Sequence, residues 1–158
     1  MFYRTWQADV FQKGQAYTMM ISEIMTTEVI TASVDDTLGE IRKVFGLNHI
    51  HHLPVVQDHR LVGIVSDRDV LRDLSPCVDT VGANNHALNT LKKKAHQIMT
   101  HKVITISSED TIEEAATTML EKKFSCMPVM EQSGAIVGIV TETDILKSLV
   151  GLESAARI

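Results

Sequence analysis

The chain has 158 residues, of which 44% are hydrophobic, and a formal net charge of -5. That is enough apolar material for one compact domain or two small interdependent ones. The negative balance excludes the basic face with which proteins wrap nucleic acid, and no run approaches the ~18 to 20 apolar residues that span a bilayer.

Residues 1–20 read as an N-terminal extension, because nothing later in the chain resembles them. Arg4, Gln7, Asp9 and Lys13 interrupt this stretch, so no apolar core of a secretory signal forms. With Cys77 and Cys126 the only cysteines, the expected setting is a reducing cytoplasm, with no disulfide needed.

From residue 21 the chain describes one unit twice. Met25, Thr31, Asp36 and Pro54 recur 74 positions later as Met99, Thr105, Asp110 and Pro128; after one inserted residue, Gly63 and Asp69 recur 75 positions later as Gly138 and Asp144. Of the 17 positions from Ile24 to Glu40, ten are identical in the segment from Ile98 to Glu114. Such self-similarity marks duplication of a structural unit.

Each unit opens with a β-branched run, Val29-Ile30-Thr31 or Val103-Ile104-Thr105, which favours an extended chain. A helix follows. Asp110 with Glu113 has capping-box spacing, and Ile112, Ala115, Ala116, Met119 and Leu120 fall on one helical face. In the first unit Asp36 takes the capping place before Leu38, Ile41, Val44 and Phe45. Two apolar runs then form a hairpin, 53–56 with 61–65 and 127–130 with 135–140. Pro54 and Pro128, which cannot donate a ladder hydrogen bond, belong among a strand's first residues or on an edge. Ser66 or Thr141 caps a second helix.

Between the units, residues 75–85 carry Ser, Pro, Asp, Gly and two Asn and read as a loop, followed by an extra helix over 86–95. Lys92, Lys93 and Lys94 are read as a solvated helix face. The expected boundaries are 21–75 for the first repeat, 76–96 for the connecting loop and helix, 97–150 for the second repeat and 151–158 for a tail.

The duplicated pattern is Ile24-Met25-Thr26, Leu53-Pro54-Val55 and Gly63-Ile64-Val65-Ser66-Asp67-Arg68-Asp69, repeated as Ile98-Met99-Thr100, Met127-Pro128-Val129 and Gly138-Ile139-Val140-Thr141-Glu142-Thr143-Asp144. It resembles the tandem CBS-domain pair, or Bateman module, of the stand-alone bacterial kind. The resemblance implies an α+β fold: two β-α-β-β-α repeats about a pseudo-two-fold axis, sheets face to face, helices outside. It also implies a regulatory sensor, not an enzyme, that holds an adenine nucleotide or related adenosyl ligand (AMP, ADP, ATP, NAD or S-adenosylmethionine) in clefts between the repeats. A homodimer and an unidentified protein partner are expected, with no nucleic acid and no membrane.

Carried over from the family, Ser66, Arg68 and Asp69 would face Thr105, Ser125, Cys126 and Pro128, while Thr141 and Asp144 would face Thr31, His51, His52 and Pro54. The chemistry suits such a ligand. A helix start offers unpaired N–H groups to a phosphate, an ionised Asp offers two acceptors to a ribose diol, and apolar strand edges suit an adenine ring. Arg68 gives the first cleft a permanent cation where the second has Thr143 and must rely on His51 or His52.

Three other readings compete. Ser-x-x-Asp and Thr-x-x-Asp are also plain capping boxes. His49 and His51, on one face of an extended chain, would suit a metal, but no Cys or carboxylate stands at ligand spacing. Cys126 with a distant His lacks an orienting third group. The main alternative function is a ligand-free dimerisation scaffold that docks on a partner.

Overall fold

A computed structural model describes residues 19–151. After a 3-10 turn at Ile21–Glu23, the first half contains β1 (Ala32–Ser33), α1 (Leu38–Asn48), β2 (His52–Gln57), β3 (Arg60–Ser66) and α2 (Asp67–Asp73). The connection holds α3 (Asn85–Thr90), and α4 (Ala95–Ile98) opens the second half. The second half contains α5 (Ile112–Lys122), β4 (Cys126–Met130), β5 (Ile136–Thr141) and α6 (Glu142–Leu149). β2 and β3 pair antiparallel, as do β4 and β5, so both expected hairpins form.

The first strand of each repeat lies later than its β-branched run suggests. β1 is Ala32–Ser33, parallel to β2, and its counterpart is a single bridge from Ile106 to Val129. Val29, Ile30, Val103 and Ile104 belong to no strand or bridge. Ile30 and Ile104 remain about 40% exposed, whereas Ala32 and Ile106 are buried. Burial of the following residue, more than β propensity, selects the paired position.

The helix caps also lie one residue later than Asp36 and Asp110. Thr37 and Thr111 are the N-caps, each in a full capping box with Glu40 or Glu114. Asp36 and Asp110 instead accept the backbone N–H of Ser33 and Ser107, both at 2.8 Å, and close the preceding turn. Hydrogen bonding within each box holds the Glu40 and Glu114 carboxyls below their ordinary pKa.

Pro54 and Pro128 are each third in a strand and fully buried. Ile106 N–H donates to the Pro128 carbonyl at 3.1 Å. The proline therefore sits where its parallel neighbour is just beginning, and its missing donor costs no rung.

The two hydrophobic cores draw on both repeats. Ile21 and Ile24, from the head of the first repeat, pack with Met127, Val129, Val140 and Ile145. Ala95 and Ile98, from the head of the second, pack with Leu53, Val55, Val65 and Val70. Two backbone bridges secure the exchange: Thr26 with Ile139, both bonds 2.9 Å, and Ile64 with Thr100 at 3.1 and 2.9 Å. The bridges are related by the repeat and describe its pseudo-two-fold symmetry.

The expected helix over 86–95 breaks into α3 and α4 because residues 91–94 have another use. The carbonyls of Lys93 and Leu91 accept from Leu38 and Gly39 at 2.7 and 3.0 Å, satisfying donors that α1 leaves open in its first turn. Met19 does the same for Ile112 of α5. Lys93 and Lys94 are straps as well as solvated residues: Lys93 pairs with Asp73 at 2.7 Å, and Lys94 donates to the Asp35 carbonyl. Arg42 holds the connection further back through a two-pronged pair with Asp79. No helix among the described residues is long and apolar enough to cross a membrane.

Candidate functional site

Two strand-to-helix junctions carry the Ser/Thr-x-x-Asp segments, and their backbones match closely. Asp69 Oδ2 accepts from Ser66 N–H at 2.9 Å and Ser66 Oγ at 2.6 Å, while Ser66 Oγ accepts from Asp69 N–H at 3.3 Å. The Thr141–Asp144 distances are 2.9, 2.7 and 3.3 Å. Both segments are therefore capping boxes. That role occupies one carboxylate oxygen in each box and leaves the other for further contacts.

Fewer N–H groups point outward than a bare helix start would offer. The first helical N–H, from Asp67 or Glu142, donates to the carbonyl of His51 or Ser125 at 3.0 and 3.1 Å. The third donates to the cap hydroxyl. Only the second, on Arg68 or Thr143, is left by these groups.

The seam between the repeats passes between the junctions. His52 pairs with Ser66 in the first hairpin, Cys126 pairs with Thr141 in the second, and Ser125 Oγ meets His52 Nε2 across the repeats at 3.4 Å. That contact links one residue from each expected set, Ser125 of the first and His52 of the second. Cys126 lies against Thr141 and Asp144 of its own half, and His51 Nδ1 is 2.9 Å from Asp67 of its own half. Thr31 and Thr105 are exposed and precede the short first strands. Pro54 and Pro128 are fully buried in β2 and β4, opposite Ile64 and Ile139. Two open depressions, about 350 and 280 Å³, lie along α5 and between the 107–109 and 131–133 turns, so neither borders a junction.

Electrostatics separate the junctions. Asp69 Oδ1 pairs with Arg72 at 2.9 Å, whereas Asp144 is 8% exposed and has no cation within ion-pairing distance among the described residues. Burial pushes the His52 imidazole below its ordinary pKa, so it is neutral near pH 7. Burial, with the Asp144 charge adding to it, pushes the Cys126 thiol up to about 12. His49 ends α1 in the left-handed region, φ 52°, so it does not share a face of an extended chain with His51. Among the described residues no three His, Cys, Asp or Glu side chains gather as a metal site.

Sequence reasoning did not single out Arg72, Asp67 or the two methionines of the repeat heads. Arg72 stands three residues after Asp69, a helical spacing visible in the chain. Met25 and Met99 carry only the signal of recurrence: each lies against a glycine of the other repeat, Gly138 or Gly63, and no local pattern reports such a contact.

The CBS-domain family model matches residues 21–76 and 95–151, well over half of the chain. The chain belongs to the CBS-domain family. Its two matched segments make it a tandem pair. A CBS domain-containing protein of Dictyostelium discoideum is 33% identical over 135 residues, covering 84% of this chain and 92% of the relative. The CBS domain pair of protein MJ0100, solved in complex with 5'-methylthioadenosine and S-adenosyl-L-methionine, is 29% identical with a TM-score of 0.70; the match covers 85% of this chain and 98% of that one. The CBS domain of a CBS domain-containing membrane protein from Sphaerobacter thermophilus is 33% identical with a TM-score of 0.71, covering 82% and 87%. Several longer relatives match over a small part only. The CBS pair spans 22% of the length of both an L-aspartate semialdehyde sulfurtransferase and an inosine-5'-monophosphate dehydrogenase of Methanocaldococcus jannaschii.

Proposed function

We propose that this CBS pair is a non-catalytic regulatory module of the cytoplasm that binds an adenosyl ligand where its two repeats meet. The observation carrying this reading is the match to a CBS pair that holds 5'-methylthioadenosine and S-adenosyl-L-methionine, end to end on that chain. The chain's own geometry supports it. Two matched junctions each carry a carboxylate with one oxygen bound in a capping box; the second oxygen of Asp144 is suited to a ribose diol, and that of Asp69 is paired with Arg72. A ligand touching both repeats favours the relative orientation that closes around it, and this population shift is the regulatory output.

Thermal melting with AMP, ADP, ATP, NAD, S-adenosylmethionine and 5'-methylthioadenosine tests the proposal. A ligand present at about 100 times its dissociation constant stabilises the fold by about 2.7 kcal/mol. For a chain of this size the melting temperature then rises by roughly 5 to 10 °C. No shift with any member of the panel would end the adenosyl reading.

A ligand-free dimerisation scaffold has its own support. Leu71 and Leu146 hold the same place in the two repeats and are 71% and 62% exposed; Leu47 and Leu120 are also largely exposed. A second copy that covered these leucines would bury their apolar surface. Light scattering of the parent should give a dimer mass, and the Leu71→Glu/Leu146→Glu variant a monomer mass. A monomeric parent removes the scaffold reading.

A further inference from the structure

The two junctions share a backbone but not a charge. At the first, Arg72 pairs with Asp69, and the exposed Arg68, in none of the ion pairs among the described residues, offsets the charge of Asp67. At the second, Thr143 replaces Arg68, Glu142 adds an exposed carboxylate, and the largely buried Asp144 has no ion-pair partner among the described residues. The histidines do not restore the balance. His51 is engaged with Asp67, and His52, packed on Ser125, is neutral near pH 7.

The second junction is thus the more negative by one charge, so an anionic phosphate is favoured at the first over the second, and exclusion of water strengthens the difference. We infer that the two clefts sort adenosyl ligands by charge: the Arg68 cleft takes a phosphorylated nucleotide, and the Asp144 cleft takes a ligand without phosphate, a thioether or sulfonium nucleoside. The pair would then report two ligands at once. This inference rests on the adenosyl-binding reading.

Titration calorimetry with ADP and 5'-methylthioadenosine, each alone and each into protein saturated with the other, tests it. The two ligands should bind one site each without competing. Arg68→Ala should weaken ADP about tenfold or more, as loss of a charge-assisted contact does, and weaken 5'-methylthioadenosine far less. Thr143→Arg, which copies the missing cation onto the second junction, should create a second ADP site. Competition for a single site, equal loss of both ligands in Arg68→Ala, or no gain in Thr143→Arg would overturn the sorting while leaving adenosyl binding intact. Binding of neither ligand by the parent would instead remove the functional reading and the sorting with it.

Discussion

Gly63→Ala should destabilise the chain by about 2 to 3 kcal/mol, and Gly138→Ala by a similar amount, both measured by urea unfolding. A methyl group on Gly63 would stand 2.3 Å from Met99 Sδ, 2.8 Å from its Cγ and 3.2 Å from its Cβ. One on Gly138 would meet Met25 Sδ at 2.5 Å, Cγ at 3.1 Å and the Thr26 carbonyl at 3.2 Å. The methionine cannot escape by swinging its tip alone, because its whole stem lies along the glycine. It must leave the seam where the head of one repeat is bridged to the hairpin of the other. The contact can be isolated by a double-mutant cycle. On a Met99→Ala background, Gly63→Ala should cost at least about 1 kcal/mol less than in the parent. Additive costs, or an unchanged urea midpoint for the single variant, would show that the seam does not depend on this close approach.

Alkali should destabilise the parent much more than Cys126→Ala. The Cys126 thiol titrates from an ordinary 9.0 to about 12 in the folded chain, because burial disfavours the thiolate and the Asp144 charge opposes it further. The folded chain keeps a proton that the unfolded chain releases. The resulting stability is therefore complete below pH 9 and falls as pH rises toward 12, by about 1.4 kcal/mol per unit and about 4 kcal/mol in all. Urea midpoints of parent and variant should converge between pH 9 and 12. Parallel slopes would contradict the assignment. The same burial makes a second readout: at neutral pH a disulfide reagent should label the exposed Cys77 promptly and reach Cys126 only on unfolding.

The glycine effects belong to the seam, and the seam is what the amino-acid order least reveals. The hairpins were legible because apolar runs and polar turns are local signals. So were the Ser66 and Thr141 caps, since Asp69 and Asp144 complete each box three residues on. The caps of α1 and α5 were read one residue early. Asp110-x-x-Glu113 and Thr111-x-x-Glu114 satisfy the same spacing, and only the turn that claims Asp110 decides between them.

Duplication, the order of elements within each copy and the family resemblance all follow from the residues alone, because they are written in recurrence, periodicity and caps that act within a few positions. Which copy each head packs into, where the first strands pair, and why α3 stops at Thr90 were decided by tertiary structure. Each depends on a backbone group finding a partner tens of residues away, as Thr26 finds Ile139 and Gly39 finds Leu91. The charge difference between the junctions is divided in the same way. Arg68 against Thr143 is visible in the chain, but the neutrality of His52 and the absence, among the described residues, of a partner cation at Asp144 arise from burial and from side chains brought together only by folding.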